Sequence, residues 1–247
     1  MREVRVLALE GIPELAAGDD LAGPLAEAAE RMGGFEPGDV LVVAQKAVSK
    51  VEGRIVRLED VEPSTRAREL AGPAGDPRHV EVILREAREV VRARPPLVIA
   101  ETHHGFVCAS AGVDASNAPE RGSLVLLPLD PDSSAARLRD RLRELTGVEM
   151  GVIVSDSFGR AWRTGTTDVA LGVAGVAPLR DLRGVRDAGG YELRTTQIAV
   201  ADEIAGAAEL VLGKTDGIPA AIVRGVDAAG DGSGADLLMP RDRDLFR

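Results

Sequence analysis

Aromatic residues are scarce in this sequence: Phe, Trp and Tyr together make up 2% of 247 residues. The interior must therefore be built from Val, Leu, Ile and Ala, and a hydrophobic content of 45% suffices for a sizeable core in a chain of this length. Cysteine is nearly absent too. The single Cys108 excludes an internal disulfide. Its apolar neighbours and the lack of a nearby Cys make it a small core residue rather than a nucleophile. No apolar run reaches the roughly 20 residues of a membrane span. The N-terminal "MREVRVLALEG" alternates like a short strand, not like a signal sequence, so a cytoplasmic location is expected. An excess of positive charge is lacking as well. The net charge of −10, with no basic run carrying interleaved aromatics, argues against nucleic acid and anionic membrane as partners. Lysine itself is rare. Of 30 basic residues only Lys46, Lys50 and Lys214 are lysines, and where Lys persists its compact ammonium is a candidate requirement.

Along the chain, "VRVLALEG" reads as a first strand, "IPELAAGDD" as a turn-rich loop and "LAGPLAEAAERMG" as a helix. The run Val40 to Val43 is a buried strand followed at once by polar Gln45, Lys46, Ser49 and Lys50. "STRARELAG" and "PRHVEVILREAREVVRA" read as two helices, the second charged along one face. "PPLVIAETHHGFVCASAGVDASNAP" gives two short strands and a loop; "GSLVLLPLD" and "EMGVIVSDS" are strands, with the helix "SSAARLRDRLRELTG" between them. Gly165 to Gly190 is read as turn-rich, "TQIAVADEIAGAAELVLG" as a helix, "IPAAIVRG" as a late strand and the tail as mostly loop. Strands and helices mix without even alternation, which gives α/β of irregular α+β type. Residues 1–247 are expected to form one unit. A division into two subdomains has no marked boundary, the Pro-rich "RARPPL" being the candidate break.

Several motifs fail on inspection. "GKT" at Gly213 to Thr215 lacks the glycine five positions earlier that a phosphate loop requires, Ala208 standing there. "GDGSGA" follows no strand and opens no helix, so a flexible loop is the better reading than a dinucleotide fingerprint. His103 and His104 would point to opposite faces of a strand, so a shared zinc ion is not expected.

Polar clusters just after buried strands carry more weight, because loops gather there over the open end of a sheet. "VDASN" supplies Asp114 and Asn117, and "VSDS" supplies Asp156 and Ser157. Their oxygens suit Mg²⁺ or Mn²⁺ shared with phosphate, while Lys50, Arg160 and Arg163 could meet anionic charge. The structural alternative is an Asx turn at Asp114 and Asn117 and a turn cap at Asp156. In "IPELAAGDD" the loop either wraps a ligand or enters a helix capped by Asp19 or Asp20, and the cap is favoured on local grounds. Trp162 either stacks on a substrate ring or pins its loop, with pinning favoured.

Together, "GIPELAAGDDL", "GDVLVVAQKAVSKVEGR", "HGFVCASAGVDASN", "LLPLDPDSSAARLR", "VSDSFGRAWRTGTTDVALGVAG" and "AVADEIAGAAELVLGK…GIPAAIVRG" resemble the coenzyme F420-0:L-glutamate ligase family, in order over nearly the whole chain. The resemblance implies a GTP-dependent ligase that joins L-glutamate to the lactyl carboxylate of coenzyme F420-0 through an acyl phosphate and adds further γ-linked glutamates. It also implies Mg²⁺ or Mn²⁺, two ions per site, with K⁺ as activator, and an intertwined homodimer of a family-specific α/β fold. Asp114, Asp156 and Ser157 would hold metal. Ile12, Pro13, Glu14, Leu15, Gln45, Lys50 and Asn117 would contact nucleotide, joined by the loop Gly213, Lys214, Thr215, Asp216 and Gly217. Gln45 departs from the Ser or Thr often found there, and Ser157 from the Thr. Lys50, Arg160 and Arg163 would act on the transferring phosphoryl group. The reductase domain that some relatives carry at the C-terminus is expected to be absent. Two other readings stay open: a ligase of the same fold acting on another carboxylate, and a non-catalytic nucleotide-binding protein.

Overall fold

A computed structural model describes residues 3–246. Its centre is a mixed sheet in the order β1 (Arg5–Ala8), β12 (Ala220–Arg224), β2 (Val40–Ala44), β8 (Gly151–Arg160) and β9 (Arg163–Ala174). Only β2 and β8 run parallel; the other neighbours are antiparallel. Strand alternation divides the core. Leu41 and Val43 join Val152 and Val154 on one face, against Leu25 and Ala28 of α1 (Ala22–Glu30) and Leu138 and Leu142 of α5 (Pro131–Thr146). Val40, Val42 and Ile153 face the other way, onto Ile204, Ala205 and Ala208 of α6 (Val200–Leu212). Because both faces are covered, these strands read as continuous apolar runs.

A second group of elements packs around Val82, Ile83, Val98, Val113 and Leu124. It contains α3 (Thr65–Ala71), α4 (Pro77–Glu86), the sheet β4 (Ala87–Arg94), β5 (Leu97–Thr102), β6 (Val107–Ala109), and the pair β3 (Ile55–Arg57) with β7 (Ser123–Val125). The segment "PRHVEVILREAREVVRA", expected to be one helix, divides instead: the helix stops at Glu86 and β4 begins at Ala87. Charge alternating with Val fits a helix face or an edge strand equally well, and antiparallel pairing with β5 decides for the strand. Pro95 and Pro96 make the turn of that hairpin.

Gly165 to Gly190 also departs from expectation, since Arg163–Ala174 is a full strand paired with β8. Its small residues serve close packing. A Cβ on Gly172 would lie 2.2 Å from the Pro131 carbonyl carbon at the start of α5. As the sheet edge, β9 leaves N–H groups unpaired by strands, and carboxylates take them: Glu209 accepts from Asp168 at 3.0 Å, Asp202 from Ala170 at 2.9 Å and Asp132 from Val173 at 2.8 Å. These bonds fasten α6 and α5 along the edge. The expected helix from Thr196 starts only at Val200, because Gln197–Ala199 forms β11 against β10 (Leu179–Asp181).

Helix ends follow local chemistry. Asp130 accepts the Ser133 N–H at 3.0 Å with Pro131 in the first helical position, and Gly147 closes α5 in the left-handed conformation. At α1 the cap position is Leu21, and Asp20 accepts the Ala22 N–H at 3.1 Å from one residue earlier. Asp19 accepts from Ala16 instead.

Candidate active site

The parallel pairing of β2 with β8 ends where Ala44, the last residue of β2, lies opposite Ser155. The chain turns directly from Ala44 into α2 (Gln45–Val51), while β8 carries on into Asp156 and Ser157. Over these strand ends lies a cavity of about 450 Å³. Its walls come from the loop Ile12, Pro13, Glu14 and Leu15, from Gln45, Lys46 and Lys50 of α2, from Asn117 to Pro119, from Ser155 to Ser157, and from Asp168, Glu209 and Gly213 to Pro219 in part.

The walls are tied together by charge. Lys50 Nζ donates to Glu14 Oε1, binding the Ile12 loop to α2. One helical turn earlier, Lys46 Nζ donates to Asp114 Oδ2 at 2.5 Å, to Ser116 Oγ at 2.6 Å and to the Ser116 carbonyl at 3.0 Å. Asp114 is presented by an isolated antiparallel bridge to Val125. Its side chain also accepts the Ser116 N–H at 2.8 Å, which is the Asx turn weighed from sequence, formed with Ser116. Burial alone would push the Asp114 carboxyl up, but the Lys46 and Ser116 bonds outweigh it and hold the group at about 2. Asn117, in the left-handed conformation that Asn tolerates, donates from Nδ2 to the Lys214 carbonyl at 3.4 Å.

Asp156 is in the opposite condition. Burial pushes its carboxyl up to about 7, with the charges of Asp168 and Asp114 adding to the effect and the Ser157 N–H and Lys46 opposing it. Neighbouring Ser157 Oγ donates to Asp168 Oδ1 at 2.7 Å, and Ser155 Oγ to Asp168 Oδ2 at 2.9 Å. Asp156, with a second carboxylate and a hydroxyl beside it, belongs to a set of hard oxygens. Among the described residues no three His, Cys, Asp or Glu side chains stand close enough to hold an ion alone. Oxygens of this kind are ones that Mg²⁺ or Mn²⁺ could take, one or two carboxylates at a time with phosphate and water completing the shell.

Gln45 is 1% exposed. Its Oε1 accepts from Ser49 Oγ at 2.8 Å, which leaves Nε2 as a buried donor without a partner among the described residues. Thr215 and Asp216 lie outside the cavity wall, bonded to each other at 3.2 Å. Arg160 and Arg163 face each other at the tip of the β8–β9 hairpin, also outside the wall. Trp162 forms the turn between them, 86% exposed, with its ring centroid 4.6 Å from that of Phe246.

Four polar wall residues escaped the sequence reading: Lys46 as the partner of Asp114, and Ser155, Asp168 and Glu209. The rarity of lysine and the spacing of Lys46 four before Lys50 were signals for the first. Asp168 becomes visible only when Arg163–Ala174 is read as the return strand, which sets it opposite Ser157. Nothing in the sequence marks Glu209. Cys108 is buried, its thiol pushed up to about 12 by burial and by the charge of Asp156. His103 and His104 bond to different carbonyls, those of Arg85 and of Pro128 and Leu129.

The sequence model of a family described as F420-0:Gamma-glutamyl ligase matches residues 11–225. Curated relatives agree with it in length and similarity. A coenzyme F420:L-glutamate ligase of Methanothermobacter thermautotrophicus is 45% identical, covering 99% of both chains. One of Methanopyrus kandleri is 48% identical over 98% of both. One of Archaeoglobus fulgidus is 46% identical over 99% of this chain and 96% of its own.

Proposed function

Since the chain belongs to the F420-0:gamma-glutamyl ligase family, we propose that it joins L-glutamate to the carboxylate of coenzyme F420-0 at the expense of GTP, in the cavity over β2 and β8. The observation that carries this reading is the meeting of Asp156, Ser157, Lys46 and Lys50 around one cavity, with Asp114 behind the wall, bonded to Lys46. Carboxylates, hydroxyl and ammonium groups converging in a partly enclosed space are what transfer of a phosphoryl group requires.

A carboxylate resists attack by an amine, so it must first be activated. An acceptor carboxylate oxygen attacks the γ-phosphorus of GTP; the bond from that phosphorus to the β,γ-bridging oxygen breaks, and GDP leaves with the electron pair. The glutamate α-amine then attacks the acyl carbon of the acyl phosphate. The bond from that carbon to the phosphate oxygen breaks, inorganic phosphate leaves, and the nitrogen gives up its proton to a base. Asp114, Asp156 and Ser157 would hold Mg²⁺ or Mn²⁺, which when bound neutralises charge on the transferring phosphoryl group. Lys50 lies in the cavity wall and serves the same end. The loop Ile12 to Leu15 and Asn117 wall in the nucleotide, and Asp168 orients the Ser157 hydroxyl. Further additions would be γ-linked, with K⁺ as activator. The exposed Trp162, Leu245 and Phe246 are apolar surface suited to a protein contact and support a homodimer.

The test is direct. Purified protein incubated with F420-0, GTP, Mn²⁺ and L-glutamate should give a product heavier by one or more glutamyl units, with GDP released in step. Asp114→Asn and Asp156→Asn should each lower the rate by roughly 100-fold or more, at unchanged circular dichroism. Absence of both product and GDP from the unaltered protein, across Mg²⁺ and Mn²⁺, refutes the ligase reading.

A further inference from the structure

Lys46 spends all three ammonium hydrogens on one loop: Asp114 Oδ2, Ser116 Oγ and the Ser116 carbonyl. Asp114 answers with three of its four lone pairs. Its Oδ2 accepts from Lys46 and from Ser116 Oγ at 2.7 Å, and its Oδ1 accepts the Ser116 N–H. A divalent ion that takes Asp114 meets the ammonium there, whichever oxygen it binds. The two cations compete for one carboxylate.

We infer that Lys46 is the stand-in cation of this site: it holds Asp114 ready until a divalent ion displaces it, and then carries its charge to the phosphate oxygens of the nucleotide. The inference rests on the proposed nucleotide and metal reading of the cavity. Lys46 lines the same cavity as Asp156 and Lys50, so an ammonium released from Asp114 stays within reach of a ligand bound there. Once displaced it needs new acceptors, and phosphate oxygens supply them. Metal and nucleotide thereby assist each other, since each provides the partner that the exchange leaves wanting. A compact ammonium with rotatable donors can make this exchange; a planar guanidinium paired with a carboxylate in fixed geometry is less free to do so. Lys50 differs, because its partner Glu14 is not a metal-ligand candidate and no cation competes for it.

Calorimetric titration with Mn²⁺ alone, and with a non-hydrolysable GTP analogue at saturating Mn²⁺, separates this role from a structural one. Lys46→Met should bind Mn²⁺ alone about tenfold more tightly, as one released charge-assisted bond allows, and bind the analogue at least about tenfold more weakly. Lys50→Met removes the same charge from the same cavity. It should weaken the analogue while leaving the Mn²⁺ affinity within about twofold of the unaltered protein. Should Lys46→Met fail to give a cooperative melt, Lys46→Gln carries the same expectation while keeping a donor for Ser116. The inference is overturned if the Lys46 variant binds Mn²⁺ no better, or if Lys50→Met tightens Mn²⁺ equally, which would make the effect one of net charge. An unaltered protein that takes neither Mn²⁺ nor the analogue overturns the nucleotide reading itself and this inference with it.

Discussion

Replacing Arg224 by Met should cost the fold heavily and the chemistry little. Asp39 is 1% exposed, and the guanidinium grips it with two bonds: Nε to Oδ1 at 2.8 Å and Nη2 to Oδ2 at 2.8 Å. Nη2 also reaches the Gly34 carbonyl at 3.0 Å, and Nη1 reaches Glu36, whose exposed carboxylate adds little. The pair ties β12 to the turn that launches β2. Without Arg224, Asp39 keeps only the Glu36 N–H at 2.8 Å and becomes a buried charge with one oxygen unanswered. Breaking a buried pair from one side costs about 3–5 kcal/mol. An unfolding entropy of about 2.1 cal/mol/K per residue comes to about 0.5 kcal/mol/K for this chain, so Tm should fall by about 6–10 °C. Differential scanning calorimetry measures it. Neither residue lines the cavity, so the rate per folded molecule at 25 °C should be unchanged. Adding Asp39→Leu to the same protein should recover much of the loss, since the orphaned charge is then gone. A Tm within about 2 °C of the unaltered protein would refute the assignment of this pair as a buried tie.

Two further expectations concern the site and its border. Asp168→Ala removes the acceptor that both Ser155 and Ser157 use, and should weaken Mn²⁺ binding by roughly 10- to 100-fold in titration; Asp168→Asn, which keeps an acceptor oxygen, should recover part of it. For Cys108, a thiol pushed up to about 12 stays protonated as pH rises through the ordinary thiol range of about 8–9. Iodoacetamide at pH 8 should therefore label it slowly, with the rate still climbing at pH 10 and jumping only on denaturation; fast labelling of the folded protein near pH 8 would contradict its buried placement.

Much of the architecture was legible because its cause is local. Val40 to Val43 and "GVIV" are apolar runs too long to leave exposed, and the helix read from Ser133 to Gly147 is α5, which begins two residues earlier at Pro131 behind the Asp130 cap. The failures share a cause as well. In "REAREVVRA" local chemistry is balanced between helix and edge strand, and pairing with β5 broke the tie. In "RTGTTDVALGVA" the glycines suggested turns, whereas Gly172 is small so that the start of α5 can approach β9.

Sequence by itself determined the materials of this protein: an aliphatic core, a surplus of negative charge, three lysines, and long motifs that place the chain in its family. Tertiary structure decided which of those groups meet. Lys46 and Asp114 are 68 positions apart, and the fold joins them, with Asp114 bridged to Val125. Asp168 reaches Ser157 through the hairpin, and Glu209 meets the Asp168 N–H because α6 packs along that edge. The division has a physical reason. Burial and helix capping are settled within a few residues, while the partner of a charge is chosen by whatever the rest of the chain brings within 3 Å of it.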